Sequence, residues 1–196
     1  MKNIFASLFL FVIGTAFCQD IQCLKPEWYN PYTDPVALTE NPGTENEVDH
    51  GSLKSNALQI VVLPNSFSDM PEWINSRLGI QKGFKVIVCN TSADSLNFVE
   101  RESQRWAPVR EVYYKNKWTA INPERHVAQC GNELRRNITL EAGGERVFLA
   151  SCLQGSFVAK YRFMLYDPIT KKQIYSNEFE GYFDPGIMEL YKMSSR

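Results

Sequence analysis

Two histidines, His50 and His126, are the first candidates for acid–base or metal chemistry in this chain. A histidine acts as base or ligand only with partners in hydrogen-bond reach. His126 stands in Pro123-Glu124-Arg125-His126, beside a cation, where a loop histidine is expected to be solvated. His50 follows Glu45, Glu47 and Asp49, an oxygen-rich stretch. It lacks the spacing and the glycine of a calcium loop, so a solvated acidic run is the expectation. Glu100, Glu102, Glu111, Glu178 and Glu180 leave room for a two-carboxylate hydrolase, although alternating strand glutamates most often face water. There is no G-x-S-x-G turn and no glycine-rich phosphate loop. Gly143-Gly144 lies between two strand patterns and lacks the amide array of a helix N-terminus. No catalytic residue, metal ligand or cofactor is therefore assigned.

Cysteines and aromatic residues carry more. Past residue 18 the cysteines are Cys23, Cys89, Cys130 and Cys152. An even count in an oxidising compartment points to disulfides, with three possible connectivities. At least one bridge is expected, with Cys130–Cys152 as the favoured pair because one lies in a loop and the other at a strand end. The competing reading is that Cys89, inside an apolar strand, is a buried free thiol. No C-x-x-C spacing supports zinc or thioredoxin-like chemistry. Trp106, Tyr114 and Trp118 lie near turns among Arg105, Arg110, Lys115 and Lys117. Flat rings beside hydrogen-bonding groups suit stacking on a sugar or clasping a peptide, so these three are the candidate ligand-binding residues. Against that, tryptophan is highly buried on average, and Trp106 and Trp118 would equally cover the edge of a core.

The elements that must position these residues begin after an export signal. Lys2 supplies positive charge, Leu8 to Ile13 form a short apolar run, and Gly14, Thr15 and Ala16 follow. The run is too short to span a bilayer and reads as a signal peptide over residues 1–18, with cleavage before Gln19. The bulky Phe17 before Cys18 disfavours the lipoprotein alternative. What remains carries twenty Lys and Arg against twenty-two Asp and Glu, a net charge of −2. That balance argues against nucleic acid, which needs a clustered basic face. No second long apolar stretch follows, so no transmembrane segment is expected in the mature chain.

Residues 19–55 carry Pro26, Pro31, Pro35 and Pro42 and read as an extended arm. Residues 56–184 read as an all-β domain and residues 185–196 as a tail. Leu58 to Pro64 is a strand pattern, and Asp69-Met70-Pro71-Glu72 is a helix-start signature, with Trp73 and Arg77 or Ile74 and Leu78 sharing a face. Phe84 to Cys89 is nearly all apolar, as for a strand covered on both sides. Asn90 to Ser95 is a turn cluster before Leu96 to Val99. Lys115-Asn116-Lys117 is a hairpin tip, and Gly143-Gly144 suits a tight hairpin between Ile138–Leu140 and Arg146–Leu149. Phe157, Ala159, Tyr161, Phe163 and Leu165 alternate with Lys160, Arg162 and Met164. This puts Phe163 inward and Arg162 toward water. Past Asp167-Pro168-Ile169-Thr170, Ile174 to Phe183 closes a long hairpin with Tyr175, Phe179 and Phe183 on one face. Phe84, Phe148, Phe157, Tyr161 and Phe163 are the expected aromatic core. About eight short strands and one brief helix indicate an antiparallel two-sheet β-sandwich.

The strand pair Phe157–Leu165 and Gln173–Phe183, with Tyr175-Ser176-Asn177-Glu178-Phe179, resembles the closing hairpin of immunoglobulin-like or fibronectin-type-III-like domains. With the export signal, the chain is similar to uncharacterised secreted proteins of the Bacteroidetes kind. It departs from true immunoglobulin domains in lacking their cysteine–tryptophan–cysteine spacing. The resemblance implies an immunoglobulin-like sandwich; fold analogy says little about function.

Secretion or periplasmic export, an all-β scaffold and the lack of a catalytic set lead to one expectation, a non-catalytic binding or structural module. Its partner would be a carbohydrate, a cell-surface component or another extracellular protein. The alternatives are a small extracellular hydrolase using paired carboxylates and a protein-binding or inhibitor module. Intact-mass analysis of the exported protein should give a chain beginning at Gln19; a product beginning at diacylated Cys18 would instead establish a lipoprotein.

Overall fold

A computed structural model of the chain describes residues 23–25, 36–37, 58–72, 82–101, 106–121, 135–167 and 170–188. The strands are β1 (Val36–Ala37), β2 (Leu58–Asp69), β3 (Lys82–Asn90), β4 (Leu96–Arg101), β5 (Val109–Tyr114), β6 (Lys117–Ala120), β7 (Arg135–Leu140), β8 (Glu145–Ser151), β9 (Phe157–Tyr166), β10 (Gln173–Tyr175) and β11 (Phe179–Phe183). All eleven pair antiparallel. One sheet has the order β1-β8-β3-β2; the second has the order β10-β9-β5-β6 with β11 also on β9; β4 and β7 form a two-stranded ribbon. The first two sheets share a core in which Ile60, Val62, Phe84, Val86 and Phe148 meet Phe163, Leu165 and Trp106. The fold is an all-β, sandwich-like arrangement. Glu72 is helical, as the Asp69-Met70-Pro71-Glu72 signature implies. Trp73, Ile74, Arg77 and Leu78 lie outside the described residues. Among the described residues no helix is long and apolar enough to cross a membrane.

Period two explains the inner faces. On β9, Tyr161, Phe163 and Leu165 are buried, and Phe163 is fully so. Phe157 is the exception among the expected core aromatics: it shares their face but sits at the strand's end, 38% exposed, with its ring stacked at 6.2 Å on Tyr114. β3, central in its sheet, is buried on both faces, as its continuous apolar run implies. The hairpin at Lys115-Asn116 forms as expected, with both residues at positive φ, the requirement of a two-residue turn that matches strand twist.

Two expected pairings are corrected. Gly143-Gly144 does not close a hairpin: β8 pairs with β3 and β7 pairs with β4. The segments β3–β4 and β7–β8 are therefore one antiparallel ribbon that bends between Cys89↔Glu145 and Leu96↔Leu140. Gly143 takes φ 69°, and a Cβ on Gly144 would meet the Glu141 carbonyl oxygen at 2.9 Å, so this corner admits glycine for the same reason a hairpin would. The second correction concerns Tyr175. It faces Met164, whereas Phe179 faces Tyr161. The chain thus takes four steps on one strand against three on the other, a bulge at residues 176–178. That one-residue slip turns Tyr175 outward, while Phe179 and Phe183 stay on the inner face.

The bend is held by Asn90, which is 1% exposed. Its Nδ2 donates to the carbonyls of Asp94 at 2.8 Å, Leu140 at 3.0 Å and Glu141 at 2.9 Å. Its Oδ1 accepts from Ser92 N at 3.0 Å and Ser92 Oγ at 2.6 Å, and its backbone N–H reaches Gly144 O at 2.9 Å. A bend leaves backbone carbonyls without ladder partners, and one buried amide supplies donors to three of them.

The N-terminal side joins this framework through Cys23–Cys152, a disulfide across a sequence separation of 129. Beside it Leu24 N–H donates to Cys152 O and Gln154 N–H to Leu24 O, and Val36–Ala37 extends the sheet alongside β8. The favoured Cys130–Cys152 pair is thereby corrected: the sulfur of Cys152 is taken by Cys23, and Cys130 lies outside the described residues. Constraining so long a loop reduces unfolded-chain entropy by about 5 kcal/mol in the chain-entropy account. At the other end, the expected tail begins within the packed structure, since Ile187 is buried with Leu24, Tyr161 and Phe183.

Asn90→Asp removes the donors and sets a carboxylate among three carbonyls. It should destabilise the protein by about 3 kcal/mol or more, and by more than Asn90→Ala. Urea unfolding of the two variants checks this; losses under about 0.5 kcal/mol in both would mean that the corner holds without Asn90.

Candidate interaction face

The three candidate rings are placed in three different settings. Trp106 is 8% exposed and belongs to the main core, 4.2 Å from the Phe98 ring, with the Arg146 guanidinium 5.8 Å from its centre. Tyr114 faces inward on β5, against Phe157 and Phe183, with Lys115 Nζ 5.3 Å over its ring. Trp118 is opposite Tyr113 in the β5–β6 register and so lies on the other face of the sheet from Tyr114. The rings do not form one surface.

The accompanying bases also separate. Arg105 lies outside the described residues, and Arg110 is 2% exposed. Arg110 shares the inward face of β5 with Val112. Its guanidinium lies 5.4 Å from the centres of both Phe84 and Phe163, and its Nη2 donates to Ser151 O at 2.8 Å. This cation joins the two sheets: one ring belongs to β3 and the other to β9.

What does assemble is the outer face of the sheet built on β9. Its outward positions are Val158, Lys160, Arg162, Met164 and Tyr166 on β9, Glu111 and Tyr113 on β5, Trp118 on β6, Tyr175 on β10, and Glu180 and Tyr182 on β11. Arg162 is the centre. Its guanidinium carbon lies 4.3 Å from the Trp118 ring centre and 3.9 Å from that of Tyr175, and its Nε donates to Glu111 Oε2 at 2.6 Å. Tyr113 meets Trp118 edge to face at 5.4 Å. The Arg162 and Glu111 side chains are 19% and 14% exposed, so the pair is half-desolvated and stronger than an open surface ion pair. Lys160–Glu178, at 3.4 Å with both side chains mostly in water, adds little.

Arg162 does take the outward face that alternation implies, but its guanidinium lies against two rings and only 19% of its side chain is open to water. Part of this arrangement is written in the sequence. Arg162 follows the period of β9 and Trp118 that of β6, but their meeting depends on β5 lying between them.

The remaining candidates are more dispersed. His50, His126 and Glu102 lie outside the described residues, as does the side chain of Glu100. Glu111 is tied to Arg162, Glu178 pairs with Lys160, and Glu180 is exposed. Asp167 is buried and accepts from Thr170 N and Oγ1 in a local turn. Among the described residues no group of three or more His, Cys, Asp or Glu is placed to hold a metal. Cys89 is a buried free thiol 3.9 Å from Glu145 Oε1. Burial pushes its pKa up to about 12, and the neighbouring Glu145 carboxylate adds to the effect by opposing the thiolate and accepting the S–H.

Comparison with known protein families, with curated proteins and with solved structures finds no match to this chain.

Because the folded state holds the Cys89 proton more tightly than the unfolded chain, this group's contribution to stability is complete below the ordinary thiol value of 9.0. It is lost as pH rises from there toward about 12. Cys89 should resist alkylation in native protein at neutral pH and react after unfolding. Cys89→Ala should flatten the fall of the urea midpoint between about pH 9 and pH 11 relative to wild type. An unchanged slope would mean that the thiol titrates alike in both states.

Proposed function

We propose that the chain is an exported, non-catalytic binding module whose contact surface is the outer sheet face centred on Arg162. The observation that carries this reading is where the exposed apolar bulk lies. Of seven large hydrophobic side chains in water among the described residues, Tyr113, Val158, Tyr166, Tyr175 and Tyr182 share this face, at 43–58% exposure. Single exposed apolar residues need no explanation, but five of seven on one sheet face do.

The residue types favour a protein partner over a sugar. Stacking on a sugar calls for open tryptophan faces, whereas Trp106 is core and Trp118 has Arg162 over its ring. Tyrosine, tryptophan and arginine together are the residues that dominate protein–protein contacts, because they combine large area with few rotatable bonds and a polar tip. The immunoglobulin-like resemblance and the export signal fit an extracellular setting.

Hydroxyl-radical footprinting tests the face whatever the partner is. Labelling in the exported fraction of the producing cell, compared with purified protein, should protect Tyr166, Tyr175 and Tyr182. Val99, which is 56% exposed on β4, should label equally in both. Equal labelling of the tyrosines in the two samples would overturn the proposal.

A further inference from the structure

Arg162 is more constrained than a surface arginine and less satisfied than a buried one. Trp118 and Tyr175 lie against its guanidinium, and Glu111 takes the Nε proton. Those are its contacts: its two terminal nitrogens, with four N–H groups between them, donate to nothing among the described residues. A fifth of the side chain remains open to water. Its rotamer freedom is already spent in the free protein, so a partner need not supply that ordering. The Nη edge of the guanidinium, which has no acceptor among the described residues, is a fork whose spacing matches the two oxygens of a carboxylate.

We propose that Arg162 is the anchor of the face and that it receives a carboxylate from the partner, with Tyr175 and Trp118 flanking it. This rests on the outer face being the contact surface and names the chemistry that the surface recognises. The carboxylate comes from an acidic side chain or from a chain terminus. Glu111 bonds at Nε and leaves the Nη pair for the incoming group. Arginine is required there because a lysine ammonium offers the charge without the planar fork.

The test uses the intact exported protein and short peptides, read by NMR at the arginine side-chain N–H and tyrosine ring signals. Acetyl-Ala-Glu-Ala-amide presents a side-chain carboxylate, acetyl-Ala-Ala-Ala with a free C-terminus presents a terminal one, and acetyl-Ala-Gln-Ala-amide presents neither. At low salt, at least one carboxylate peptide should give saturable shifts at Arg162 and Tyr175. The stronger of the two identifies the source, and the glutamine peptide should bind about tenfold more weakly or worse. Arg162→Lys, confirmed as folded by its backbone spectrum, should lose the saturable shifts. The glutamate–glutamine comparison on wild type stands if that variant does not fold. Equal response to all three peptides, or carboxylate shifts as large at Lys171 and Lys172 as at Arg162, would overturn the inference. If the peptides fail while Tyr166, Tyr175 and Tyr182 are still protected in the exported fraction, the face remains the contact surface and the carboxylate assignment alone is wrong.

Discussion

β9 has to satisfy two environments at once, and the register of its sheet follows from that. Of its inner side chains, Phe163 and Leu165 share a core with β2 and β3, Tyr161 shares one with Leu149 of β8 and with Ile187, and its outer ones carry the arginine face. β5 and both β10 and β11 take their positions directly from β9, and β6 takes its position through β5. A slip of one residue would expose Phe163 and bury Arg162 among rings that already hold Arg110. The core and the outer face are therefore not independent. Arg162 can reach both Trp118 and Tyr175 only while Phe163 is locked inward.

Where ladders break, side-chain amides stand in for the backbone. Asn90 does so at the bend of the β3–β4 and β7–β8 ribbon. Asn177 does so between the sheets: its Oδ1 accepts from Val62 N at 2.8 Å, and its Nδ2 donates to Val62 O at 3.1 Å. Among the described residues β2 ends its sheet, and Val62 would otherwise present a donor and an acceptor unpaired by them on that edge. Pro64, two residues on, has no N–H to offer. The edge is thus blunted by one side-chain amide and one imino residue, and the two sheets are tied at the side where β10 and β9 approach β2.

Much of the strand content was legible because it depends on short-range pattern. The alternation over residues 157–165, the continuous apolar run of β3 and the Lys115-Asn116 turn each report a local requirement of pleat, burial or twist. Pairing was less legible, because a Gly-Gly corner and a Gly-Gly hairpin ask the same freedom of the backbone, so residues 138–149 read alike in either arrangement. Disulfide choice was closed to spacing for a related reason: nothing local in Cys23 indicates that Leu24 pairs beside Leu153. The candidate site was half legible. Trp118 and the outward setting of Arg162 follow from period two, and so does the inward setting of Arg110 beside Val112. Grouping rings with bases by sequence proximity ignored that alternation and joined Trp106, Tyr114 and Arg110 to a surface they do not share.

The bulge at residues 176–178 shows how the core dictates the face. Phe179 packs at 6.1 Å parallel to Phe163 and edge-on to Phe84 at 5.4 Å, so its inward setting is demanded by the interior. Tyr175 lies four residues earlier, and unbroken alternation would bring it inward too. That space is occupied: Ile174 is opposite Leu165 there, and both pack into the main core. An extra residue resolves the conflict by letting Ile174 and Phe179 both face inward, which strict period two forbids. The same residue count sends Tyr175 outward over Arg162 and leaves Asn177 out of the β9 ladder, free to reach Val62. Ser176 covers the gap, its N–H donating to Phe163 O and its Oγ accepting from Phe163 N, each at 2.9 Å. The ring that flanks the arginine and the amide that ties the sheets are therefore both consequences of fitting two apolar side chains into a core whose spacing does not match the pleat.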